Sequence, residues 1–134
     1  MNYKKELSSI FIDNDLFVFM LQELKNRQKI DFFINLGSVL YSTRKKCGLK
    51  RAYNYIRYNI KDDVNYEDLV ISKKLFELIR KGMKISYKIS LEHYKILLKL
   101  DNIYITNKLI DECVFGGFTL EELSTRVEQL KNEN

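Results

Sequence analysis

Proline is absent from this chain and glycine occurs only five times, at Gly37, Gly48, Gly82, Gly116 and Gly117, so no segment has the composition of a long interdomain linker. Cysteine is equally sparse. Cys47 and Cys113 stand alone and far apart, which rules out a disulfide framework and suits reduced thiols in a reducing compartment. With His93 as the single histidine, no Cys/His spacing matches a zinc site, and no glycine-rich loop of the P-loop or dinucleotide type occurs. The longest uncharged apolar run, Leu16 to Leu21, is far too short to span a bilayer. Met1-Asn2-Tyr3-Lys4-Lys5-Glu6 leads into Ser8-Ser9-Ile10-Phe11-Ile12 and the acids Asp13 and Asp15 with no cleavable small-residue site, so a cytoplasmic location and no membrane partner are expected. The acid pairs Asp62-Asp63, Asp111-Glu112 and Glu121-Glu122 diverge by about 100° on a helix and form no paired catalytic site by themselves. His93 falls in a helix N-terminal turn, a place for packing or capping more than for acid–base chemistry. A non-enzymatic protein with no metal or cofactor is expected.

What the chain does hold is positive charge in its middle. At 134 residues, 46% of them hydrophobic and 31% charged, it fits one domain, 1–134, able to bury roughly two-thirds of its unfolded surface. Residues 1–40 are neutral, residues 41–100 carry fifteen basic against six acidic side chains, and residues 101–134 carry three against seven. Between Tyr41 and Lys61 stand Arg44, Lys45, Lys46, Lys50, Arg51, Arg57 and Lys61, no acid, and the tyrosines Tyr41, Tyr53, Tyr55 and Tyr58. A focused positive field beside aromatic rings is the electrostatic footprint of nucleic-acid binding. The plainer alternative is a solvated lysine-rich face.

The periodicity predicts an all-α fold, a compact bundle of about six to seven helices. A first helix from Asp13 to about Arg27 has a wide apolar surface (Leu16, Phe17, Phe19, Met20, Leu21, Leu24) that suits a central position, although Leu16 to Met20 also fits a strand. A second, about Asp31 to Lys46, places Phe32, Phe33, Leu36, Val39 and Leu40 on one side. Gly37 in its interior implies close approach of another helix. The third follows Gly48: Leu49, Ala52, Tyr53, Ile56 and Ile60 form its buried stripe, with Lys50, Asn54, Arg57 and Lys61 opposite and Arg51, Tyr55 and Tyr58 adjoining. The fourth starts at the cap Asn65, with Asp68 in its first turn, Val64 stapled on Leu69, and Leu69, Ile71, Leu75, Phe76, Leu78 and Ile79 as its core. Lys73, Lys74, Arg80 and Lys81 make its second half basic. Helices three and four, joined at Lys61-Asp62-Asp63-Val64, read as a helix-turn-helix-like core at about 49–80. The acids Asp62, Asp63, Glu67 and Asp68 argue against deep insertion of the start of helix four into DNA. Further on, Ile89, Ser90 and Tyr94 start a helix through about Leu100, and another spans about Ile103 to Phe115. Thr119 with Glu122 and Phe118 with Leu123 then open a last helix carrying Leu120, Leu123, Val127 and Leu130 inward.

The segment Lys88-Ile89-Ser90-Leu91-Glu92-His93-Tyr94, followed by Leu97-Leu98-Lys99-Leu100-Asp101, Leu109-Ile110 and Gly117-Phe118-Thr119-Leu120-Glu121-Glu122-Leu123 with Val127, resembles the helical half of the ParB/KorB-type DNA-binding domain. It is also similar to a helical N-terminal domain of proteins linked to nucleases and mobile elements. The resemblance covers about 40 residues, many of them cap and core positions. Missing are the ParB-type nucleotide-binding segment, the S-R-S-type start of the recognition helix, and the arginine expected where Glu121 stands, so no nucleotide cofactor is implied. It does imply a helix-turn-helix core upstream, with the helices at 89–131 as support or dimer surface.

The expected function is duplex DNA binding by a homodimer acting as a transcriptional regulator or plasmid/phage maintenance factor. Arg44, Lys45, Lys46, Lys50, Arg51 and Lys61 are the candidate phosphate contacts, with Lys73 and Lys74 adding charge. Asn54, Tyr55, Arg57 and Tyr58 are candidates for groove or stacking contacts. The alternative is a phage or mobile-element interaction protein that inhibits a host nucleic-acid-processing defence complex, its basic face meeting RNA or an acidic protein surface. Direct RNA binding is favoured if the tyrosines are exposed.

Overall fold

The computed structural model describes residues 14–59 and 64–133, which form a bundle of six helices with no strand among them: α1 (Asn14–Cys47), α2 (Leu49–Asn59), α3 (Tyr66–Arg80), α4 (Leu91–Leu97), α5 (Ile103–Gly116) and α6 (Leu120–Asn132). The expected break near residue 30 does not occur. No glycine or proline interrupts residues 14–36, and Asp31, the expected start of a second helix, lies within α1, where it accepts a hydrogen bond from the Tyr87 hydroxyl at 2.7 Å. The strand alternative at Leu16 to Met20 fails for the same reason.

Nor is the start of α1 central. Phe19 is 72% exposed, and Val18 and Leu24 also face solvent. Among the described side chains of α1, which begin at Val18 and so leave out Leu16 and Phe17, the first buried ones are Asn26 and Ile30. There the Asn26 amide donates to the Tyr87 carbonyl at 2.9 Å and the Arg27 guanidinium lies 4.7 Å from the Tyr87 ring centre, fixing the α3–α4 connection to the helix. Further along α1, Leu36 and Leu40 are buried, whereas Phe32 and Val39 are exposed.

Two apolar clusters result. The smaller joins Leu36 and Leu40 of α1 to Ala52, Tyr53 and Ile56 of α2 and Leu69 of α3, with Val64 against it as the expected staple. The larger joins Ile30 of α1 and Leu75 and Leu78 of α3 to Tyr94, Leu97, Leu109, Ile110, Leu123 and Val127 of the last three helices. Both α1 and α3 contribute to each cluster. Gly37 is where they meet most closely: a Cβ there would collide with the Ser72 carbonyl oxygen and lie 2.6 Å from the Phe76 Cβ. Ser72, fully buried, returns its hydroxyl to the Asp68 carbonyl at 2.7 Å and so presents no unpaired polar atom to α1.

The caps form as the residue types require. Asn65 with Asp68, Ser90 with His93, and Thr119 with Glu122 each close a reciprocal capping box. Leu123 and Val127 of α6 are fully buried, but Leu120, expected inward, is exposed.

Candidate nucleic-acid interface

A single residue separates α1 from α2. Gly48 has φ 88°, a left-handed conformation that other L-residues adopt only with strain, and its carbonyl accepts from the Ala52 N–H at 3.0 Å to start the new helix. This turn lets Ala52, Tyr53 and Ile56 close the smaller cluster. Leu49, expected in that stripe, is exposed at the helix start, and Ile60 lies outside the described residues.

With Ala52, Tyr53 and Ile56 inward, helical geometry fixes the rest of α2. At about 100° per residue, Arg57, Lys50, Asn54, Tyr58 and Arg51 fall within an arc of about 120° on the opposite side. All five are exposed, Tyr58 by 90%. No acid stands in the first turn of α2, and no ion pair engages Lys50, Arg51 or Arg57 among the described residues. Lys46 and Tyr55 belong to the helices, but their side chains lie outside the described set, as does the whole of Lys61.

The remaining candidates sit elsewhere. Arg44 and Lys73 converge on Glu77 at 3.4 and 3.1 Å, while Lys74 lies 3.9 Å from Asp101 of the acidic third. These pairs are solvent-facing and contribute at most about 1 kcal/mol each. Lys73 and Lys74 line a hollow with Tyr53, Val70, Leu78 and Asp101, on the inward flank of α2 rather than its outer face. Lys45 turns to the ring of Tyr41, 4.6 Å from its centre, where Arg80 and Arg44 join it at 4.3 and 5.2 Å. The expected site residues therefore do not form one continuous set. The outer face of α2 is one group; Arg44, Lys45 and Lys73 belong to a second, around Tyr41 and Glu77.

Neither Tyr41 nor Arg80 stands among the site residues expected from sequence. Their positions are 39 apart, and only the packing of α1 on α3 brings them together. Hydrogen bonding to Arg80, then to Lys45, holds the Tyr41 phenol below its ordinary range, against a smaller opposing effect of burial. Where α2 meets α3, Tyr53 packs on Tyr66 with ring centres 4.9 Å apart, and the first turn of α3 carries Glu67 and Asp68, the latter engaged in its own cap. At this junction it is α2, not the first turn of α3, that presents cations outward.

His93 is occupied structurally. Its Nδ1 accepts from the Ser90 backbone N–H at 3.2 Å, which leaves the proton on Nε2 to donate to the Phe118 carbonyl at 3.0 Å. The imidazole thus ties the start of α4 to the α5–α6 turn. Cys47 is exposed at the end of α1 and Cys113 is buried, its thiol pushed up to about 11 by desolvation. Among the described residues, no three His, Cys, Asp or Glu side chains gather as a metal site, and no helix is long and apolar enough to cross a membrane. Comparison with protein-family models, with curated proteins and with solved structures yields no match.

Proposed function

We propose that this protein binds duplex DNA by laying the outer face of α2 against the phosphate backbone, in the role of a transcriptional regulator or a plasmid or phage maintenance factor. The observation that carries the reading is the arc of Lys50, Arg51, Asn54, Arg57 and Tyr58: exposed, with no acid among them, on a helix whose other side is fixed in a core. An α-helix with its side chains is about 10–12 Å across, which suits the roughly 12 Å width of the major groove. Arg57 and Asn54 have the chemistry for bidentate base contacts, and Lys50 and Arg51 for phosphates. The acids of α6, which would repel a polyanion, belong to the larger cluster's side of the fold. A homodimer presenting two copies of α2 about 34 Å apart would reach successive grooves of one duplex.

The test is fluorescence anisotropy with a labelled duplex across a salt series. Affinity should fall steeply with salt, and the triple variant Lys50→Glu/Arg51→Glu/Arg57→Glu should flatten the log–log slope by about 0.9 for each phosphate no longer neutralised. Salt-insensitive binding, or full affinity in the triple variant, removes α2 from the interface. A second reading, an interaction protein acting on a defence complex, draws on the large exposed side chains Phe19, Tyr104 and Phe115. It predicts that Phe19→Ser or Phe115→Ser abolishes the biological effect while leaving DNA affinity unchanged.

A further inference from the structure

The cations around Tyr41 lie apart from the outer face of α2 and call for an explanation of their own. Tyr41, Arg44 and Lys45 occur at i, i+3 and i+4 on α1, while Arg80 and Lys81 end α3, so the last turns of two helices meet at one point. Cations in a last turn complement the helix dipole, which explains why each is there. It does not explain why three of them turn onto one phenol ring, with centroid distances of 4.3, 4.6 and 5.2 Å. Like charges so close repel, and the ring face offsets only part of that repulsion. Beside the ring an open surface hollow of about 450 Å³ is lined by Tyr41, Arg44, Arg80, Lys81 and a single carboxylate, Glu77. That carboxylate is already shared between Arg44 and Lys73. Arg80, Lys81 and Lys45 have no acid partner among the described residues. Phe76 packs against the Tyr41 ring, with ring centres 5.6 Å apart, and so fixes the phenol in place.

We infer that this hollow is a phosphate-binding site separate from the α2 face, in which Arg80, Arg44 and Lys81 hold the oxygens of a phosphate or pyrophosphate group beside the Tyr41 hydroxyl, and Lys45 adds positive charge from its place over the Tyr41 ring. The guanidinium groups supply paired N–H donors suited to a phosphate's oxygens, and the Lys81 ammonium supplies a point charge. The lowered phenol fits the same picture, because the surroundings already favour negative charge at that point. Glu77 opposes the ligand: it occupies one edge of the hollow and engages Arg44. The site stands whether or not α2 contacts DNA.

The test follows the Tyr41 ring and the Arg80 side-chain N–H by NMR while inorganic pyrophosphate is added, with sodium chloride at matched ionic strength as the control. A saturable shift with pyrophosphate and none with chloride is expected. Lys45→Gln/Arg80→Gln should weaken binding about tenfold or more, and Lys50→Glu/Arg51→Glu should leave it unchanged. Glu77→Gln should tighten it by about threefold or more, a gain that a purely structural role for Glu77 does not produce and that holds the proposal to account if the double variant fails to fold. Equal shifts with chloride, or weaker binding in Glu77→Gln, overturns the site. Adding duplex DNA to the pyrophosphate complex then identifies the natural source. Displacement assigns the site to a strand phosphate; co-binding assigns it to a free phosphorylated molecule. A protein that takes pyrophosphate there but ignores DNA keeps this site and loses only the α2 proposal.

Discussion

Tyr41 and Tyr94 carry the same phenol into opposite surroundings, and the contrast extends to the regions that hold them. Tyr94 is fully buried in the larger cluster; its hydroxyl accepts from the Ser86 N–H at 2.8 Å and donates to the Lys84 carbonyl at 3.1 Å, and burial raises its pKa to about 12. Tyr41 is half-buried with three cations 4.3–5.2 Å from its ring centre, and its pKa is lowered. One region uses an aromatic side chain to close a core and the other to line a charged surface. A basic chain segment can fold on only a small apolar cluster because the rest of the domain supplies the larger one. The surface of α2 is thereby free of structural duties, and its outer residues can be charged at little cost to the fold.

This division can be broken from either side. Leu97→Ala, in the larger cluster, should cost about 2–5 kcal/mol in denaturant unfolding with nucleic-acid affinity unchanged once folded. Lys50→Glu/Arg51→Glu should shift stability by less than about 0.5 kcal/mol while binding collapses. Parallel losses of stability and binding in both variants would mean that the two regions are not separable.

Alkaline pH sharpens the same contrast. Tyr94 and Cys113 hold their protons more tightly folded than unfolded, with ordinary values of 10.0 and 9.0 raised to about 12 and about 11. Their contributions are complete below the unfolded values and are lost as pH rises through the folded ones, so stability should decline between about pH 9 and pH 12, on the order of 2–3 kcal/mol from Tyr94 alone. Near-ultraviolet titration of Tyr41→Phe and Tyr94→Phe checks the assignment: the first variant should lose an early-titrating phenol and the second a late one. Smaller again is Gly37→Ala. Its new methyl group would strike the Ser72 carbonyl and should cost about 1–3 kcal/mol, despite the gain of up to about 1 kcal/mol in helix propensity. An unchanged melting temperature would show that α1 and α3 can separate there without loss.

Much of the fold is legible in the sequence because its signals are local. Asn65 with Asp68 and Thr119 with Glu122 act within one turn, so their spacing is enough to identify them, and Gly37 announces a close approach simply by standing inside a helix. Sequence misleads where the deciding partner is distant. A second helix is expected to begin near Asp31 because nothing local reveals that Tyr87 takes its carboxylate partway along a continuous helix. Phe19 and Leu24 read as core because periodicity says which side of a helix is apolar and not whether anything stands opposite. The same limit applies to the site. Lys50, Arg51, Asn54, Arg57 and Tyr58 share a face through helix geometry alone and can be grouped from their numbers, whereas the arrival of Arg80 at Tyr41 requires two helices to be docked.

One consequence of the uninterrupted α1 concerns how the molecule fails. At about 1.5 Å per residue, 34 residues make a strut about 51 Å long, and it threads both apolar clusters by way of Ile30 and then Leu36 and Leu40. Loosening either end withdraws support from a beam the other end leans on, and α3 is braced in the same way. Heat should therefore take the whole bundle down in one cooperative step, with the charged arm and its counterweight melting together.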